Sequence, residues 1–223
     1  MAARLVRLLL VNRDVVLHED QIFEIFWADK TIDSARRSLQ VVLSHARSVL
    51  DPPGAEHSMV ELNDRSYRLR LRDQDVIDVD AFEFAAASAF AVSGDDRRAM
   101  LDHAASLWGG EPLPEDRDAN WTYQWRERLT NRYVEVLSEL VARCRAAGDH
   151  LATIPIALQI VALDQFNESA HRELMIAYAR AGRRSQALRQ FLACRRALID
   201  EMGIEPSSST ARLNDRILAG EAV

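Results

Sequence analysis

Ser34-Ala-Arg-Arg-Ser-Leu-Gln-Val-Val-Leu-Ser-His-Ala-Arg-Ser-Val-Leu50 is the stretch whose pattern decides the fold. At 3.6 residues per turn, Leu39, Val42, Leu43, Ala46 and Leu50 fall on one face. Arg37, Val41, Ser44 and Ser48 lie opposite, with His45 nearby, and Arg36 and Arg47 flank the apolar stripe. Asp33 and Ser34 offer side-chain oxygens to the orphan amides of a helix start. Asp51-Pro52-Pro53 forbids continuation. One face is therefore built to pack. The other carries guanidiniums and short polar groups but no acid, although the chain holds 34 Asp and Glu. An acid-free outer face suits a helix that lies against phosphates.

Helical periodicity extends outward from this stretch. Residues 4–11 read as a short apolar helix; Arg7 interrupts the run and no small-residue cleavage site follows, so a core helix is expected rather than a signal peptide. Val15-Val16-Leu17 reads as a brief extended link. Residues 18–27 set Ile22, Phe23, Phe26 and Trp27 on one side of a second amphipathic helix. Residues 28–33 form a polar loop before the quoted helix. Beyond the prolines, residues 59–62 and 66–72 read as two strands joined at Asn63-Asp64-Arg65. In the second strand Tyr67, Leu69 and Leu71 alternate with Arg68, Arg70 and Arg72. Three helices followed by a basic hairpin outline a winged helix-turn-helix.

A composition shift marks the end of this region. Asp73, Asp75, Asp78 and Asp80 read as a solvated linker. Residues 1–72 carry 11 basic and 10 acidic side chains, while 73–223 carry 17 and 24, so the net charge of −6 belongs to the later part. Helices are expected at 82–92, 97–108, 121–147, 151–163, 169–181, 185–202 and 210–218. Ala147-Gly148-Asp149 and Ala181-Gly182-Arg183 recur at the tetratricopeptide period. Tyr178, Ala187 and Phe191 take the packing positions of the later unit, and Thr153 and Ala157 those of a degenerate earlier copy. Pro155 is expected to limit or kink its helix. The expected fold is mainly α: a winged helix-turn-helix with a β-hairpin wing over 1–77, then a tetratricopeptide-like helical repeat domain over 78–223.

Both halves resemble one known family. Residues 20–27 (Asp-Gln-Ile-Phe-Glu-Ile-Phe-Trp), 34–39 (Ser-Ala-Arg-Arg-Ser-Leu), 43–47 (Leu-Ser-His-Ala-Arg) and 66–69 (Ser-Tyr-Arg-Leu) resemble the DNA-binding domain of the Streptomyces antibiotic regulatory proteins. Those proteins share the OmpR/PhoB type of winged helix. Residues 107–113 (Leu-Trp-Gly-Gly-Glu-Pro-Leu), Trp121, Arg126, Ala181-Gly-Arg183 and 201–207 (Glu-Met-Gly-Ile-Glu-Pro-Ser) resemble the bacterial transcriptional activator domain. The resemblance covers nearly the whole chain in the right order.

It implies a sequence-specific activator that binds double-stranded promoter DNA as paired units, such as a homodimer, and engages RNA polymerase through the loop at 28–33. Arg37, Val41, Ser44, His45 and Arg47 match groove-facing or phosphate-facing positions of the family's recognition helix, with Arg36 beside them. Arg37 and Arg47 suit phosphates or guanine, Ser44 suits either, and Val41 suits a thymine methyl. In the wing, Asn63 takes the place where relatives often carry an arginine, and Arg65 follows two residues later. Asp64 and Ser66 replace glycines, and Glu61 faces a phosphate-contacting position, which weakens electrostatic binding. The family's domain also begins with a small sheet ahead of the first helix, which is missing at the start of this sequence. The backs of Leu8, Leu9 and Leu10 are accordingly expected to be exposed.

Other function classes find little purchase. There is no phosphate-binding loop, dinucleotide turn or nucleophile elbow, and the six histidines make no metal spacing with each other or with Cys144 and Cys194. The two cysteines read as buried thiols, and Trp108, Trp121 and Trp125 as core. No enzyme, cofactor or metal is expected, and no run of 18 apolar residues implies a membrane partner or a location outside the cytoplasm. The alternative to DNA binding is a protein-interaction module, with the repeats as the working part and the winged helix as a remnant.

Overall fold

The structure is a computed structural model that describes residues 1–94 and 96–223. The chain folds as two compact units: Met1–Ile77 with Glu111–Leu129, and Asp78–Gly110 with Thr130–Val223.

The first unit is built on α1 (Ala2–Val11), β1 (Leu17–His18), α2 (Glu19–Trp27), α3 (Ile32–Leu50), β2 (Val60–Asn63) and β3 (Ser66–Leu69). The strands form an antiparallel sheet in the order β1-β3-β2, with Leu17 opposite Tyr67 and Asn63 opposite Ser66. Leu5, Leu8 and Leu9 of α1 pack with Ile22 and Phe23 of α2, Leu39 and Leu43 of α3, and Val60, Tyr67 and Leu69 of the sheet. Each fully buried leucine or isoleucine here contributes about 2 kcal/mol of burial. Helix α2 starts with a reciprocal cap. The Asp20 amide donates to His18 Nδ1, and the His18 amide donates to Gln21 Oε1. Asp64 and Arg65 both take positive φ, 42° and 59°. That is a two-residue turn of the tight hairpin kind, made here without glycine.

Several expectations are corrected. Helix α3 begins at Ile32, capped by the extended backbone of Thr31 without a side-chain bond, so Asp33 and Ser34 sit inside its first turn. The Val15-Val16-Leu17 link is instead strand at Leu17–His18, because the edge of β3 offers ladder partners there; Val15 and Val16 stay exposed. Leu8 and Leu9 are 1 % exposed and Leu10 is half-buried, since α1 lies against α3 and β3. Residues 111–129 do not join the repeats but return to the first unit. There the buried Asp116 carboxylate takes Arg4 Nε and Arg7 Nε, each at 2.6 Å. A carboxylate held out of water needs such charged donors on both oxygens. Thr122 Oγ1 donates to the Asp116 and Ala119 carbonyls, and Trp121 packs on the core of the unit. Glu111 binds Arg117 and Arg126.

The second unit contains α4 (Asp78–Ala91), α5 (Asp96–Ser106), the remainder of α6 (Asn120–Ala146), α7 (His150–Leu163), α8 (Glu168–Arg180), α9 (Arg184–Ala197) and α10 (Ser208–Ala219). Asp78 and Asp80 lie in the first turn of α4, where they favour the helix N-terminus, and Asp75 binds the Arg72 amide and guanidinium. The acidic stretch is thus partly structured rather than a simple solvated linker. Gly148 and Gly182 end their helices alike. Each takes positive φ, and the next amide (Asp149, Arg183) donates back to the carbonyl five residues earlier (Cys144, Tyr178). Thr153, Ala157 and Tyr178 between these stops and Ala187 just after the second are buried, as the repeat spacing requires. Pro155 does not break α7. It sits on the exposed side, where the carbonyl freed by its missing N–H can turn to water. Trp108 stacks on Tyr133 with ring centroids 4.5 Å apart and meets Phe82 edge-on, so it is core.

Candidate nucleic-acid interface

The outer face of α3 follows from its inner one. Because Ala35, Leu39, Val42, Leu43 and Ala46 are buried, the intervening positions are turned outward. Arg37, Gln40, Val41, Ser44, His45 and Ser48 are all exposed, and Val41 keeps 58 % of its surface in water. Arg37, Val41, Ser44 and Ser48 form one row along the helix, with His45 beside it. Gln40 shares this surface. Its signal in the sequence is not charge but a carboxamide, the side chain that reads adenine edges. Arg37 has no ion pair or hydrogen bond among the described residues.

Arg36 and Arg47 are placed differently, at the flanks, where protein groups hold them. Arg36 meets Glu19, the first residue of α2, through Nη2–Oε1 at 2.5 Å and Nε–Oε2 at 3.3 Å. Arg47 donates from Nη2 to the Val60 carbonyl at 2.9 Å, and its Nε is buried without a partner. The guanidinium of Arg47 thereby ties α3 to β2. At the hairpin tip Asn63 and Arg65 are exposed. Arg65 Nε lies 3.8 Å from Glu19 Oε1, and the Glu19 amide donates to the Arg65 carbonyl at 2.8 Å. Glu61 is taken up by Arg70 at 2.9 Å, so its charge is partly neutralised on the outer face of the wing. Arg68 is exposed on β3, and Arg70 follows just beyond the strand's end.

Glu19 is the electrostatic centre of the arrangement. Its residue is 3 % exposed. The hydrogen bond from Arg36 holds its carboxyl below the usual carboxylate range, against the opposing effect of burial; the charges of Arg36 and Arg65 act the same way. A carboxylate buried beside two guanidiniums joins the start of α2, the start of α3 and the wing tip.

No group of three or more His, Cys, Asp or Glu suited to a metal ion occurs among the described residues. Cys144 and Cys194 are buried free thiols, and burial pushes the Cys194 thiol up to about 11, where it is not nucleophilic. His171 is a satisfied core residue between the Gln165 carbonyl at 3.0 Å and Gln190 Nε2 at 2.7 Å. Burial lowers its basicity, so the ring is neutral at pH 7. Among the described residues, no helix is long and apolar enough to cross a membrane.

Comparison with known proteins joins this geometry to a family. Residues 77–218 match the bacterial transcriptional activator domain. The chain is 25 % identical over 216 residues to the transcriptional regulatory protein MoaR1 of Mycobacterium tuberculosis, covering 95 % of this chain and 70 % of that protein. It is 25 % identical over 223 residues to the regulatory protein DnrI of Streptomyces peucetius, covering 96 % and 82 %. The fold is similar to that of Mycobacterium tuberculosis EmbR, solved in complex with a low-affinity phosphopeptide. That match has a TM-score of 0.73 and 23 % identity, and covers 98 % of this chain and 59 % of that one. A match spanning the second unit, with relatives that run through both, settles the family: the chain belongs to the bacterial transcriptional activator domain proteins and, with DnrI and its kin, to the Streptomyces antibiotic regulatory protein family of transcriptional regulators.

Proposed function

We propose that this chain binds double-stranded promoter DNA by laying α3 in the major groove, with the β2–β3 hairpin beside it as the wing. The observation that carries this reading is the outer face of α3. It is exposed, contains no acid between residues 34 and 50, and presents Arg37, Gln40, Val41, Ser44 and His45 from a helix whose other side is fixed in a core. Such a helix meets the requirement for base-edge readout, a rigid back and a front of donors and one apolar contact. In this reading Arg37 and Gln40 take base edges or phosphates, Ser44 and His45 donate beside them, and Val41 meets a thymine methyl. Asn63 and Arg65 approach the backbone from the wing. Arg36 and Arg47 act chiefly by orienting the helix. The loop before α3 is the surface offered to RNA polymerase, the chain works as paired copies, and its place is the cytoplasm.

A gel-shift or anisotropy titration with promoter fragments from the native locus tests the proposal. Arg37→Ala should weaken specific binding by about 5- to 150-fold, equivalent to about 1–3 kcal/mol. Equal binding by Arg37→Ala and the parent, or no binding by the parent at low salt, would favour the second reading. In that reading the helical unit is a protein-interaction module. One observation favours it: on α7, Leu151, Pro155, Leu158 and Ala162 leave an uncharged, apolar outer strip.

A further inference from the structure

Two guanidiniums converge on the Glu19 carboxylate in the first turn of α2: that of Arg36 in two-point contact, and that of Arg65 at 3.8 Å. A helix N-terminus with two arginines is the constellation that elsewhere receives a phosphate. Here the protein has filled it with its own anion. The carboxylate is nearly out of water, at 4 % side-chain exposure, while the guanidiniums it holds remain reachable, at 35 % for Arg36 and 66 % for Arg65. Asp33, 3.8 Å from Arg36, adds a weaker, largely exposed second charge.

We propose that Glu19 is a specificity-determining residue: an internal counter-anion that keeps Arg36 and Arg65 from acting as indiscriminate phosphate contacts at the mouth of the recognition helix. The inference rests on the DNA-binding reading above. Sequence-independent affinity comes almost entirely from cations that displace counterions from phosphates, and it grows with each cation left unneutralised. Glu19 offsets one unit of the positive charge that these two guanidiniums carry, most of it at Arg36, so a larger share of the affinity falls to Arg37, Gln40, Val41 and Ser44. Glu19 also ties the wing turn to α2 through its amide, so both arginines stay in register with α3.

The test is the salt dependence of binding to random-sequence duplex DNA and to the specific fragment, for the parent and for Glu19→Gln. The glutamine keeps the shape and removes the charge. Removing that one negative charge should steepen the slope of log K against log salt by roughly 0.9, raise random-duplex affinity on the order of tenfold at low salt, and lower the specific-to-random ratio. Adding Arg36→Gln to Glu19→Gln should return most of the slope to the parent value. If Glu19→Gln fails to fold by circular dichroism, Arg65→Gln in the parent background answers the same question. There Arg65→Gln should cost random-duplex binding less than Arg68→Gln does, since Glu19 offsets part of the Arg65 charge, and an equal or larger cost would overturn the proposal. An unchanged slope in folded Glu19→Gln, with binding still sensitive to Arg37→Ala, overturns this inference alone. Absence of DNA binding by the parent at low salt overturns the DNA-binding reading and this one with it.

Discussion

Glu19 at the start of α2 and Glu168 at the start of α8 occupy the same position in their helices and do opposite things with their charge. Glu168 is surrounded by neutral donors: the Ser207 amide at 2.9 Å, the Ser207 hydroxyl at 2.7 Å and the Thr210 hydroxyl, with Arg172 no nearer than 3.9 Å. It caps α10 from outside by accepting from the amide of Ser207, the N-cap residue of that helix. Burial pushes the Glu168 carboxyl up, but the hydrogen bonds from Thr210 and Ser207 together outweigh it, and the net shift is downward. Glu19 instead spends its charge on guanidiniums. The difference teaches that a carboxylate bonded to amides and hydroxyls fastens a fold, whereas one bonded to surface arginines also edits what those arginines offer to others.

That contrast breaks most visibly under truncation. Glu168→Ala removes the cap of α10 and leaves the Ser207 amide and Thr210 hydroxyl short of an acceptor, a loss expected at about 2–3 kcal/mol by urea unfolding. Glu19→Ala should cost about 1 kcal/mol, because Arg36 and Arg65 retain access to water. If the two losses came out in the reverse order, Glu19 would be a fastener like Glu168.

Acid separates the two units next. His171 of the second unit titrates below its usual 6.5 because it is buried. The unfolded chain therefore binds the extra proton first, so this stability is complete above about pH 6.5 and is lost as pH falls toward the folded value. The carboxylates Glu19 and Glu168 lie below their usual 4.5, and their stability is complete above that pH and lost only at lower pH. Melting temperature should therefore begin to fall in two windows, and His171→Gln should flatten the upper one alone. The smallest effect sharpens the comparison. Asp64→Asn, at the exposed wing tip, should raise random-duplex affinity less than threefold, since a solvated acid is already screened. An effect as large as that of Glu19→Gln would make nearness to the wing, rather than engagement of its arginines, the operative factor.

The outward row Arg37, Val41 and Ser44 was legible in the sequence because helical periodicity alone assigns inside and outside. The hairpin was legible from alternation at Tyr67 and Leu69, and the repeat from two glycine stops 34 residues apart. The Glu19 cluster was not, since it needs the first turns of two helices and a loop tip to meet, and periodicity carries no information about such meetings. For the same reason the wheel sets Arg36 and Arg47 at the flanks of the apolar stripe but omits the neighbours that engage them. The start of α3 was misplaced by two residues because Asp33 and Ser34 are good caps in composition, while the backbone of Thr31 takes that place. The return of residues 111–129 was hidden for want of any local signal linking Asp116 to Arg4 and Arg7.

That return bears on how the protein is made. Arg4 leaves the ribosome 112 residues ahead of the Asp116 that binds it. At bacterial synthesis rates the interval is on the order of ten seconds. Through that time the nascent winged helix holds two arginines of α1 without their buried counter-charge and lacks the indole of Trp121 on its core. Its folding is finished only after α4 and α5 have been translated, so the order of assembly runs against the order of the chain, and a message cut short between the two units leaves the first one without its last-made part.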